Sequence, residues 1–288
     1  MNRIFLTIVI FSLILSSCDN GSDLVNGTPY ESIYQPMSSS PTLLRGATVL
    51  TGNGERFENT DIILKEGKID AIGPNLVAED IIVIDAKGMW ITPGVIDVHS
   101  HLGVYASPRV RAHSDGNEAT APNTAEVWAE HSVWPHDPGF VTALAGGITS
   151  LQILPGSANL IGGRGVTLKN IPGQSVMEMK FPGAPHGLKM ACGENPKRVY
   201  GSRRQPPSTR MGNVAGYRAA WIEASDYRDE MEEANKGQGK PPKRDLKLET
   251  LAGVLNGEIL VHNHCYRADE MSVMLEIAKE FNYKVGAF

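Results

Sequence analysis

The chain has 288 residues, of which 41% are hydrophobic, 20% charged and 7% aromatic, so it can bury a sizeable core as an ordinary globular protein. A formal net charge of -5 and a pI near 5.9 give no long-range attraction for a polyanion, which sets nucleic acid aside as a partner. Three cysteines, Cys18, Cys192 and Cys265, are too few and too scattered for a disulfide framework, and each is read by its own context.

The first segment reads as an address. Arg3 supplies positive charge, residues 4–15 form an apolar run too short to span a bilayer comfortably, and Leu15-Ser16-Ser17-Cys18 follows at once. This resembles the lipobox of bacterial lipoprotein signal peptides. The resemblance implies cleavage before Cys18, a lipid on its sulfur, and a place in the bacterial cell envelope, facing the periplasm or exterior. A plain signal peptide or a single anchor helix is the other reading. Residues 19–41, rich in Ser, Asn, Gly and Pro, read as a flexible tether.

Ordered structure is expected from residue 42. The β-prone runs 47–50, 61–64, 68–72 and 81–85 are separated by turn signals at 52–54, 66–68 and 73–75, which predicts a small β-sandwich over 42–92. From residue 93 the pattern changes. Buried strand runs at 91–99, 147–154, 166–168, 187–191 and 258–262 alternate in places with helical periodicity, at 214–235 and 268–281. The fold class is therefore α/β, with a parallel sheet forming part of a TIM-like (β/α) barrel over 93–288. Residues 236–243 read as an exposed loop.

His99 and His101 stand two apart at a strand end, so both imidazoles point to the same side of the pleat and can reach one ion. Alone, a His-x-His is weak. Its setting is the run Gly94-Val95-Ile96-Asp97-Val98-His99-Ser100-His101-Leu102-Gly103, which resembles the first barrel strand of the amidohydrolase superfamily, particularly imidazolonepropionase-like and dihydroorotase-like members. In the same order, residues 146–150 resemble the family's second strand, 184–197 the fourth and 260–269 the fifth.

The resemblance implies a divalent metal site, zinc by family habit, of one or two ions held by His99, His101, Lys189 and His264. The lysine would be carbamylated, because a carbamate offers anionic oxygens where an ammonium would repel the ion. Glu194 is the alternative ligand to Lys189. Around the ligands, His262 and His186 are candidates to line the pocket. Asn159, in the Gly-rich stretch 155–165 read as a loop, could contact substrate through backbone amides or belong to a tight connection. His113, His131 and His136 match no motif position.

The implied chemistry is hydrolysis of carbon–nitrogen bonds outside ordinary peptide chains, such as those of cyclic amides, in a small-molecule substrate. The run 284–288 looks like the start of the sixth strand. The family's next ligand, a histidine, and its general acid/base aspartate are expected beyond Phe288. On this reading the chain alone is an incomplete barrel, poorly stable and inactive, completed by further sequence or by a second polypeptide. The alternative is an envelope-anchored binding or scaffold protein that keeps the fold without turnover.

Overall fold

The computed structural model describes residues 30–288. The signal-peptide and lipidation readings at 1–18 lie outside the described residues. Of the segment read as a tether, the described part is held against the main domain: Ser32 Oγ donates to the Lys180 carbonyl at 2.6 Å and the Ile33 amide to the Met177 carbonyl at 3.0 Å.

Strands β1 (Thr42–Leu50), β2 (Arg56–Lys65), β3 (Lys68–Gly73), β4 (Ile82–Asp85) and β5 (Trp90–Ile91) form one five-stranded sheet in the order β3-β2-β1-β4, with β5 also pairing β1. The expected second layer of a sandwich is not among the described residues. Ala47, Val49, Ile62 and Ala86 make its small core, with Leu44 and Ile91 packed alongside.

The second sheet carries β6 (Val95–Ser100), β7 (Ile148–Ile153), β8 (Ile161–Lys169), β9 (Gly187–Ala191), β10 (Leu260–His264) and β11 (Val285–Ala287), in the order β11-β10-β9-β8-β7-β6. Pairs β6·β7, β9·β10 and β10·β11 are parallel, as the alternation of strand and helix predicts. β8 departs from that expectation, running antiparallel to both β7 and β9. The reason is the connection: no helix lies between β7 and β8, and a strand that returns without a crossover can only pair antiparallel. The stretch read as a Gly-rich loop therefore becomes strand from Ile161. Its glycines serve close approach, since a Cβ on Gly163 would lie 2.4 Å from the Val127 carbonyl oxygen, and one on Gly165 2.5 Å from Leu154 Cδ2.

Helices cover the outer face. After the first barrel strand, α1 (Pro138–Ala145) starts from Asp137, whose carboxylate accepts the Gly139 amide. Short α2 (Val176–Met179) and α3 (Glu194–Gly201) flank β9, while α4 (Arg210–Asn235), α5 (Leu246–Leu255) and α6 (Ala268–Glu280) are the main cover. Asp245 caps α5 by accepting from the Lys247 and Leu248 amides. Trp221 and Tyr217 of α4 lead the larger core, packed with Leu188 and Met190 of β9, Val261 of β10 and Leu251 and Val254 of α5. This core fixes the relative positions of β9 and β10. A Trp221→Ala substitution should cost about 3–5 kcal/mol in urea unfolding, whereas Met211→Ala, at a position 79% exposed, should stay within about 0.5 kcal/mol.

Candidate metal centre

Three neighbouring regions of the second sheet present basic side chains to one another. β6 carries His99 and is followed at once by His101; β9 carries Lys189; β10 carries His262 and His264. In the parallel β9·β10 ladder His262 stands opposite Lys189 and His264 opposite Ala191, so the pleat puts all three polar side chains on one face. Lys189 Nζ lies 2.7 Å from His99 Nε2, and the rings of His99 and His101 are 5.4 Å apart at their centroids.

Two imidazoles have their protons assigned by their partners. His101 Nδ1 is 2.7 Å from the Leu154 carbonyl oxygen, which can only accept; the proton sits on Nδ1 and leaves Nε2 with a free lone pair. His264 Nε2 is 3.1 Å from Asn195 Nδ2, which donates, so this nitrogen is the bare one. Asn195 also donates to Ser157 Oγ at 2.9 Å. Sequence reading gave Asn195 no role although it sits inside a motif; the missing signal was the facing histidine, which only the fold brings to it.

The electrostatics of the cluster follow from burial. Lys189 is 1% exposed, with no carboxylate in ion-pair contact among the described residues, and burial brings its amine down to about 7. Burial, reinforced by Lys189 and the other histidines, takes His99 down to about 4. His101, His262 and His264 are pushed down by burial first and by Lys189 next, partly offset at His101 by the Leu154 carbonyl. At neutral pH the histidines are therefore uncharged nitrogen donors, the protonation state that metal ligation requires, while the Lys189 amine stands near its midpoint. His262 Nδ1 is buried without a partner, another donor-capable atom left open.

No group of three or more His, Cys, Asp or Glu side chains converges tightly enough to hold an ion among the described residues. What converges is a histidine pair with a lysine, and His264 beside them with Nε2 engaged by Asn195. The donor set suits a borderline cation such as zinc if Lys189 contributes through its nitrogen or a carbamate made on it.

The remaining candidates fall elsewhere. Glu194 opens α3 and its carboxylate takes Arg198 Nε at 2.6 Å, an exposed i,i+4 pair. Asn159 is 1% exposed and works through its side chain rather than its backbone. Its amide donates to the Glu118 and Ala121 carbonyls at 2.7 and 2.8 Å, pinning the 117–124 segment. His186 stands just before β9, at the opposite strand end from His264, with Nδ1 donating to the Gly165 carbonyl at 3.1 Å and its ring against Trp128. His113 stacks on Trp134, and His131 on Trp128.

The separate reading of Cys192 and Cys265 is corrected by the fold. The two form a disulfide across 73 residues of sequence, with Cα atoms 5.2 Å apart. Ala191 pairs His264, so the next residue on each chain meets the other. Two cysteines one step beyond two strand ends were the available signal, legible only once those strands are known to be neighbours.

No family model matches the chain. It is 33% identical over 290 residues to amidohydrolase tasK of Hapsidospora irregularis, a match covering 88% of this chain and 30% of that protein. A 5-methylthioadenosine/S-adenosylhomocysteine deaminase of Symbiobacterium thermophilum is 24% identical over 81% of this chain and 59% of its own. Among solved structures, an amidohydrolase from Thermotoga maritima superposes with a TM-score of 0.79 at 39% identity, covering 85% of this chain and 63% of that one. The chain thus spans less than two thirds of each of these relatives. The order of the sheet strands, the paired histidines and these likenesses in sequence and fold agree that the chain belongs to the amidohydrolase superfamily.

Proposed function

We propose that this chain supplies a divalent-metal centre, zinc by preference, for hydrolysis of a carbon–nitrogen bond in a small molecule outside ordinary peptide chains. The observation that carries the reading is Lys189, buried without an acid and 2.7 Å from His99. A buried lysine with no carboxylate is costly as an ammonium, so the fold favours the neutral amine. That amine is the form that adds carbon dioxide: the nitrogen lone pair bonds to carbon, one N–H proton leaves, and a carbamate with two anionic oxygens results. His99, His101 and the modified Lys189 would hold the ion, with His264 next to them. An ion held there supplies Lewis-acid polarisation of a carbonyl and activation of water at neutral pH. His101 is oriented by the Leu154 carbonyl, which leaves its Nε2 lone pair open, while Asn195 holds His264 through its Nε2.

The substrate class rests on the names borne by relatives, which include dihydroorotases, an allantoinase and deaminases. An envelope location, with a lipid on Cys18, belongs to the same proposal. The Cys192–Cys265 disulfide suits an oxidising compartment and supports it.

Protein purified without chelators should carry one or two divalent ions per chain by elemental analysis, and its melting temperature should fall when the ion is removed. His101→Ala should weaken metal affinity by about tenfold or more. Metal-free protein whose melting is indifferent to added zinc would contradict the centre. For turnover, cyclic-amide hydrolysis should depend on His99; equal rates for the wild type and His99→Ala would remove the hydrolase reading.

Labelling with 13C-bicarbonate should give a carbamate resonance that Lys189→Ala abolishes. Since the neutral amine is the reactive form and its midpoint is about 7, the labelled fraction should increase as pH rises from slightly acid to slightly alkaline. A labelled protein without that resonance, while the ion is bound, would leave the lysine nitrogen itself as the ligand.

A further inference from the structure

A cavity of about 1030 Å³ lies beside the metal centre, and none of His99, His101, Lys189 or His264 lines it. Gly162 lines the cavity, and a Cβ built on it would lie 3.7 Å from Lys189 Cγ, so the two regions adjoin there. Its volume matches that of pockets for small organic ligands.

Two charged side chains in its wall are left open. Arg164 is only 9% exposed, yet among the described residues its side chain makes one hydrogen bond, from Nε to Thr250 Oγ1 at 2.9 Å, and no carboxylate forms an ion pair with it. The guanidinium sits over the Trp128 ring, its Cζ 4.2 Å from the ring centroid. A planar guanidinium presents its terminal N–H groups as a fork, the geometry that takes a carboxylate bidentately. The carboxylates whose field reaches it are Glu249, Glu130 and Glu258; Glu249 is committed to Arg244 and Glu130 to Lys180. Glu126 is the second open group. It lines the same cavity and keeps Oε2 buried with no partner. A buried carboxylate oxygen and a buried guanidinium, each without its counter-ion, are both costly unless a ligand completes them.

Between them stand aromatic walls. Tyr30 meets Trp128 edge to face at 6.2 Å and His131 at 4.7 Å, while His131 stacks on Trp128 at 5.7 Å. All three rings line the cavity, and such an aromatic wall suits a flat apolar group. We infer that this cavity is a binding site for a zwitterionic amino acid with an aromatic side chain. Its carboxylate is taken by Arg164, its ammonium by Glu126 and its ring by Tyr30, Trp128 and His131. Nothing in this assignment requires a metal ion in the neighbouring centre.

The test uses the full chain in the presence of a chelator, with tryptophan fluorescence and calorimetry as readouts. L-phenylalanine should bind saturably. Hydrocinnamate, which lacks the ammonium, phenethylamine, which lacks the carboxylate, and L-alanine, which lacks the ring, should each bind weaker by about tenfold or more. Arg164→Gln should abolish the preference for the carboxylate. Glu126→Gln, in the less buried of the two positions, should bring hydrocinnamate and L-phenylalanine within about threefold of each other. The ligand series on the wild type stands even if Arg164→Gln unfolds the protein. Absence of saturable L-phenylalanine binding at millimolar concentration, or equal binding of all four compounds, would overturn the assignment.

Discussion

A buried lysine with no acid in ion-pair contact among the described residues sets the terms for the second sheet. Lys189 sits in the middle of β9 at 1% exposure, and its amine lies 2.7 Å from His99 Nε2. To keep it there the protein must exclude water from the centre of the sheet and hold the amine uncharged. Both demands are met by the same packing. Leu188 and Met190, on the other face of the same strand, are locked into the core led by Trp221 and Tyr217. The strand cannot turn to release the lysine without emptying that core.

The other elements follow from what this lysine needs around it. β8 crosses beside β9 with glycines at 162, 163 and 165, and Gly163 pairs Lys189 directly. A side chain at Gly163 would run into the Val127 carbonyl and one at Gly165 into Leu154, so these glycines let β8 lie close to the segments packed on it. β10 delivers His262 opposite Lys189, and Gly187 makes room for it, since a Cβ there would lie 2.8 Å from His262 Cδ2. The disulfide then joins the strands one residue past Ala191 and His264, holding the ends of β9 and β10 together where the histidine must stay in place. Hydrogen bonds from Asn195 and to the Leu154 carbonyl orient rings that burial has already made neutral.

Much of this was legible in the sequence because it is local. The His-x-His spacing at a strand end fixes a shared side by pleat geometry alone, and the runs 187–191, 260–262 and 268–281 each declare their element by period. What was not legible depends on neighbours distant in sequence. Strand direction at β8 is set by the absence of a helix between Ile153 and Ile161, and the glycines there resemble a loop until their steric neighbours are known. Asn195, the Cys192–Cys265 pairing and the side-chain role of Asn159 all come from contacts made across the fold. Glu194 looked like a ligand by type, yet Arg198, one helical turn on, occupies its carboxylate.

The central claim is that His99, His101 and Lys189 form one ligand set around an ion. X-ray absorption spectroscopy on the zinc-loaded chain tests it most directly. The account predicts nitrogen and oxygen scatterers at about 2.0–2.1 Å with outer-shell scattering from two imidazoles, of which one disappears in His101→Ala. A spectrum of oxygen scatterers alone, unchanged by that substitution, would contradict it.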